Sequence, residues 1–118
     1  MPHRMIASEG DVDRLEAKAG EAAAMLRLLA NEKRLLILCH LLAAAEMTVT
    51  ALARAVGLSQ SALSQHLAKM RADGLVATRR DAQTIHYRVA DARVGAILET
   101  LSRVFCPELR RSRRRQGR

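Results

Sequence analysis

Two glycines, Gly57 and Gly74, bracket the segment that constrains this chain most. Before Gly57, "VTALARAV" has helical spacing and a capping hydroxyl in Thr48. After it, Ser59 opens "QSALSQHLAKMRAD", in which Leu63, Leu67 and Met70 recur on one side at helical spacing. Each glycine stands where a helix must end in the left-handed region, which glycine enters without a Cβ penalty. Two helices joined by a short turn holding a glycine form a helix-turn-helix pattern. Directly after Gly74, "LVATRR" and "TIHYRVA" are β-branched runs separated by Asp81-Ala82-Gln83, which predicts a hairpin with a charged tip.

The flanks read as helices. Val12, Leu15, Ala19, Ala22, Leu26 and Leu29 follow alternating steps of three and four, a seam interrupted by Gly20 and a candidate dimer surface. Asn31 can cap the next helix, whose "RLLILCHLLAAA" is apolar nearly all round and is expected at the buried centre. Asp91 can cap a last helix with Val94, Ile97, Leu98, Leu101, Val104 and Phe105 on one stripe, closed at Pro107. Aromatic residues are only 2% of the chain, so the core must be aliphatic, which suits helices. The expected fold is mainly α with a small β-hairpin, a dimeric winged helix-turn-helix in the order α-α-α-α-β-β-α. Its expected divisions are a flexible 1–10, a folded winged-helix domain over 11–106, and a basic, disordered tail over 107–118.

The second helix of the pair raises a chemical question. Opposite its apolar stripe lie Ser61, Ser64, Gln65, Ala68 and Lys69, with Gln60 near the start and no carboxylate before Asp73. A solvated face would normally carry Glu and Lys pairs. Short hydroxyls and amides can approach base edges, and Lys69 can reach a phosphate. The helix start at Ser59 itself favours a phosphate oxygen. His66, at the margin of the stripe, suits packing or a phosphate contact. On the hairpin, Arg79, Arg80 and Thr84 are candidates for the minor groove or the DNA backbone. The bland alternative is a solvated helix face.

Net charge supports a polyanionic partner less than it first suggests. The formal value is +8, but the six arginines after Leu109 carry six of those charges and leave two for residues 1–109. The tail is either a solubilising end or a phosphate-contacting arm. No apolar run is long enough to span a bilayer, and the opening "MPHRMIASEGDVDR" lacks the apolar stretch of a secretory signal, so a cytoplasmic location is expected. The two cysteines, Cys39 and Cys106, do not imply a structural disulfide there and belong either in the core or in a sensor. No phosphate loop, carboxylate pair or nucleophile–base arrangement is evident, so an enzyme is not expected.

Taken together, "NEKRLLIL", "LSQSALSQHLAKMRADGLV" and "HYRV" resemble the ArsR/SmtB family of winged-helix repressors over about residues 15–106. The resemblance implies a homodimer joined through its first and last helices. Two recognition helices would read an inverted-repeat operator in double-stranded DNA, and an inducer would relieve repression. The family's thiolate pair for soft metals would fall in "EMTVTAL", where Thr48 and Thr50 stand instead. The zinc-type site on the last helix retains only Asp91. No metal or cofactor is therefore expected.

The placement of Cys39 in "ILCHL" and Cys106 in "VFCPE" is similar to the BigR/SqrR subgroup. That likeness implies a redox sensor of reactive sulfur species, persulfide or polysulfide, in which the two thiols become bridged and DNA is released. Burial among Leu35, Leu38 and Leu42 is expected to raise the Cys39 pKa, leaving Cys106, near Arg103, as the more reactive thiol. The alternatives are a repressor responsive to a soft metal or metalloid, and a winged-helix protein-interaction module.

Overall fold

The computed structural model describes residues 8–107. They divide after Asn31 into two compact units. The first is a single helix, α1 (Glu9–Leu29), which runs through Gly20 without a break. It starts two residues ahead of Asp11 because the Ser8 hydroxyl accepts the Asp11 N–H at 3.1 Å, and Glu9 and Asp11 suit the positive end of the helix. Val12, Leu15 and Leu26 of its seam are exposed.

The second unit runs α2 (Glu32–Ala44), β1 (Met47–Thr48), α3 (Val49–Val56), α4 (Gln60–Ala72), β2 (Val76–Asp81), β3 (Thr84–Val89) and α5 (Ala92–Phe105). Three of the anticipated caps form. The Thr48, Ser59 and Asp91 side chains accept N–H groups of Ala51, Ala62 and Arg93. Gly57 and Gly74 sit at φ 70° and 79°. The hairpin closes through the two residues Ala82 and Gln83, with Ala82 at φ 58°.

The core is aliphatic. Ile37, Leu38 and Leu41 of α2 are fully buried, as are Leu52 of α3, Leu63, Leu67 and Met70 of α4, and Val94 of α5. Helix α2 packs on α3, α5 and β3, and α4 on α3 and β2. Each buried leucine contributes on the order of 1.5–3 kcal/mol relative to its exposed state.

Two expectations need correction, on the burial of α2 and on the number of strands. Helix α2 is not buried all round: Leu36 and Leu42 are each 39% exposed and Cys39 is exposed, because its packed neighbours cover one side only. The α5 stripe is buried at Val94 and Leu98 but open at its far end, where Val104 is 65% and Phe105 74% exposed. The sheet has three strands in the order β1-β3-β2, because Met47 and Thr48 pair with Tyr87 and His86. The expected tail over 107–118 falls, but for Pro107, outside the described residues. No helix among the described residues is long and apolar enough to cross a membrane.

Candidate nucleic-acid interface and thiol pair

Helix α4 is held from beneath and at its start. Leu63, Leu67 and Met70 are fully buried, which turns Ser61, Ser64, Gln65, Ala68 and Lys69 outward, all exposed. His66 is half-buried, as a residue at the stripe's margin should be. The Ser59 hydroxyl accepts the Ala62 N–H at 3.1 Å, which assigns it a capping task. The Gln60 amide Nε2 donates to the Thr50 hydroxyl at 3.1 Å and joins the first turns of α3 and α4. Of the seven candidates from Ser59 to Lys69, Ser61, Ser64, Gln65 and Lys69 thus present exposed side chains with no engagement in the cap or turn.

The wing separates its candidates. In the β2–β3 register Asp81 faces Thr84 and Arg79 faces His86, so alternation puts Arg79, Asp81, Thr84, His86 and Arg88 on one face. Arg80, paired with Ile85, lies on the other. The three wing candidates do not share a surface. Arg79 is engaged by a residue that sequence reasoning missed. Its Nε donates to Glu46 Oε2 at 3.0 Å and its Nη2 to Oε1 at 2.9 Å, a bidentate pair. The hydrogen bond from Arg79 holds the Glu46 carboxyl below its ordinary pKa, with added pull from the charges of Arg79, His86 and Arg88.

The thiols lie on two helices in contact. Cys39 is exposed on α2, while Cys106 caps α5, half-buried, with its N–H donating to the Ser102 carbonyl at 2.8 Å. An ideal Cβ on Gly95 of α5 would stand 3.6 Å from the Leu42 Cδ2 of α2, so the helices meet closely there. Partial burial pushes the Cys39 thiol above its usual pKa, and the negative charge of a Cys106 thiolate adds to the rise. Asp91 is committed to Arg93, 2.7 Å away, whose hydrogen bonds lower its pKa. No group of three or more His, Cys, Asp or Glu side chains among the described residues is placed to hold a metal ion.

This arrangement matches known proteins closely. Residues 31–78 match the model of the bacterial regulatory protein, arsR family. The HTH-type transcriptional regulator YgaV of Escherichia coli K12 is 46% identical over 97 residues, which cover 82% of this chain and 98% of YgaV. The structure of reduced HlyU from Vibrio cholerae N16961 superposes with a TM-score of 0.71 at 47% identity, covering 79% of this chain and 97% of that one. The transcriptional repressor BigR from Xylella fastidiosa gives 0.75 at 34% identity, covering 80% and 95%. The winged-helix fold, the exposed polar face of α4 and these full-length relatives agree, and the chain belongs to the ArsR family of DNA-binding bacterial transcriptional regulators.

Proposed function

We propose that this regulator is a cytoplasmic homodimeric repressor released from operator DNA when Cys39 and Cys106 are bridged by reactive sulfur. The observation that carries the reading is the thiol pair itself: Cys39 lies outside the core, on a helix packed against the one that Cys106 caps. A cysteine kept only for packing would be buried. HlyU, described in a reduced form, and the repressor BigR are relatives of the same fold, which favours redox control of repression.

The chemistry balances with a polysulfide as oxidant. The Cys106 thiolate attacks an inner sulfur and expels a shorter hydropolysulfide anion, leaving Cys106 Sγ–S–SH. The Cys39 thiolate then attacks the middle sulfur and expels HS⁻, leaving Sγ–S–Sγ. Two thiols lose their protons to water and two electrons to sulfane sulfur. A bridge with an inserted sulfur spans a wider gap than the roughly 7 Å between Cα atoms that limits a direct disulfide.

On the DNA side, Ser61, Ser64 and Gln65 read base edges in the major groove, Lys69 and the start of α4 near Ser59 and Gln60 meet phosphates, and His66 supports the approach. Thr84 and Arg80 serve the wing. Exposed Val12, Leu15 and Leu26 on α1, with Val104 and Phe105 on α5, supply apolar surface for a second copy, and two-fold symmetry then requires an inverted-repeat operator.

Intact mass and operator retention, measured after reductant, peroxide or a polysulfide donor, test the switch. The expected result is whole sulfur atoms added between the two cysteines and DNA lost in that sample alone. Equal DNA binding by reduced and bridged protein overturns it, and stoichiometric metal carried by reduced protein favours a metalloid-responsive regulator instead.

A further inference from the structure

The face of the wing that carries Arg79 is electrically balanced. Arg79 and Arg88 stand there with Asp81, His86 and Thr84, and Glu46, immediately before β1, adds a second carboxylate. The exposed face of α4 differs, with Lys69 and Arg71 and no acid before Asp73. A polyanion is drawn to α4 but meets no net charge on this side of the wing. Within that face, Glu46 takes Arg79 at both ends of the guanidinium fork, through contacts of 2.9, 3.0 and 3.3 Å. Both side chains remain partly exposed, Arg79 at 48% and Glu46 at 32%, so solvent and phosphate can compete for them.

We infer that Glu46 sets the DNA affinity of the regulator by holding Arg79 in reserve, so that a phosphate gains this guanidinium only by displacing the Glu46 carboxylate. The inference rests on the wing lying beside the DNA backbone when α4 reads its operator. Its physical consequence is selective. Each phosphate neutralised by a lysine or arginine strengthens binding to any sequence and steepens the salt dependence. A carboxylate that occupies the wing arginine removes one such contact from the general affinity, and discrimination is left to Ser61, Ser64 and Gln65. The Glu46 carboxylate is charged at neutral pH, as any glutamate is, and its hydrogen bond with Arg79 extends that charge to lower pH.

The test compares Glu46→Gln, Arg79→Gln and the double variant on operator and non-operator duplexes across a salt series, with thermal unfolding as a check that each is folded. The glutamine keeps the size of the side chain and removes its charge. Glu46→Gln is expected to tighten binding to both duplexes about five-fold near 100 mM salt and to steepen the log–log salt slope by about one. The double variant, whose net charge equals that of the parent, is expected to return to the parent's affinity and slope. Three results overturn the inference: unchanged affinity in Glu46→Gln, which removes the wing from the backbone; weaker binding in Glu46→Gln, which makes Glu46 a support that aims Arg79 at the DNA; and an equal gain in Asp81→Asn, a carboxylate of the same face outside the Glu46–Arg79 pair, which makes it a field effect. A separate Gln65→Ala variant reports on α4 alone, so failure of the recognition-helix reading is seen independently.

Discussion

The side-chain amide of Gln60 donates to the Thr50 hydroxyl at 3.1 Å and ties the first turn of α4 to the first turn of α3. This bond spans the turn of the helix-turn-helix and orders a side chain at the amino end of α4, where a phosphate contact is proposed. Thr50→Val keeps the shape and removes the acceptor. Because both groups are exposed, stability is expected to stay within about 1 kcal/mol of the parent. Operator affinity is expected to fall a few-fold, since Gln60 must then be ordered on binding. Denaturant unfolding and operator titration on the same preparations check both halves.

Ser59 and Ser61 are two residues apart and do different work. Ser59 caps α4, and Ser59→Ala is expected to lower stability by about 1 kcal/mol. Ser61 is exposed on the polar face of α4, so Ser61→Ala is expected to leave unfolding unchanged and to weaken operator relative to non-operator binding. Loss of stability in both, with no loss of selectivity, would make the α4 face a solvated one.

Lys69 and Gln65 separate general from sequence-reading contacts. Lys69→Gln is expected to weaken binding to every duplex alike and to reduce the salt slope by about one. Gln65→Ala is expected to relax discrimination at one base position, costing roughly 1–3 kcal/mol there with little change in slope. A set of single-base operator variants, titrated at two salt concentrations, distinguishes them.

Ala45 and Ala82 hold the left-handed region at φ 71° and 58°. Alanine is strained there by about 1–2 kcal/mol, and glycine offsets part of that relief with its greater freedom when unfolded. Ala45→Gly is expected to stabilise the fold by up to about 1 kcal/mol, read as a rise in Tm, with DNA binding unchanged.

The thiol pair has a pH signature. Burial first, and the Cys106 charge second, disfavour the Cys39 thiolate. Its alkylation by iodoacetamide is expected to rise with pH later than that of a free cysteine. Cys106→Ser is expected to bring that profile part of the way back, because burial remains. A thiol whose folded pKa is raised contributes stability that is present below its unfolded value and lost as pH climbs through the folded one, so reduced protein is expected to weaken on the alkaline side. A Cys39 profile identical in the parent and in Cys106→Ser would place the sulfurs out of electrostatic reach.

Much of this was legible because the determining contacts are local. Thr48, Ser59 and Asp91 cap helices through bonds to N–H groups two or three residues away, and Gly57 and Gly74 end helices by their own backbone freedom. The apolar spacing of Leu63, Leu67 and Met70 was enough to turn Ser61, Ser64, Gln65 and Lys69 outward. What period alone could not supply was coverage. The apolar runs of α2 and α5 predict that a face wants burial, yet Leu36, Leu42, Val104 and Phe105 remain open because no element of the second unit lies over them.

The sequence by itself thus determined the order of helices and hairpin, the capped ends of α3, α4 and α5 and the exposed polar face of α4, since each is set within one or two turns of chain. Tertiary structure alone decided that Met47 and Thr48 form a third strand, that Glu46 reaches Arg79 across 33 residues, and that Cys39 stands exposed on a helix packed against α5. Those pairings join side chains far apart in the chain. Which distant groups meet depends on how strands register and helices pack, not on any spacing along the sequence.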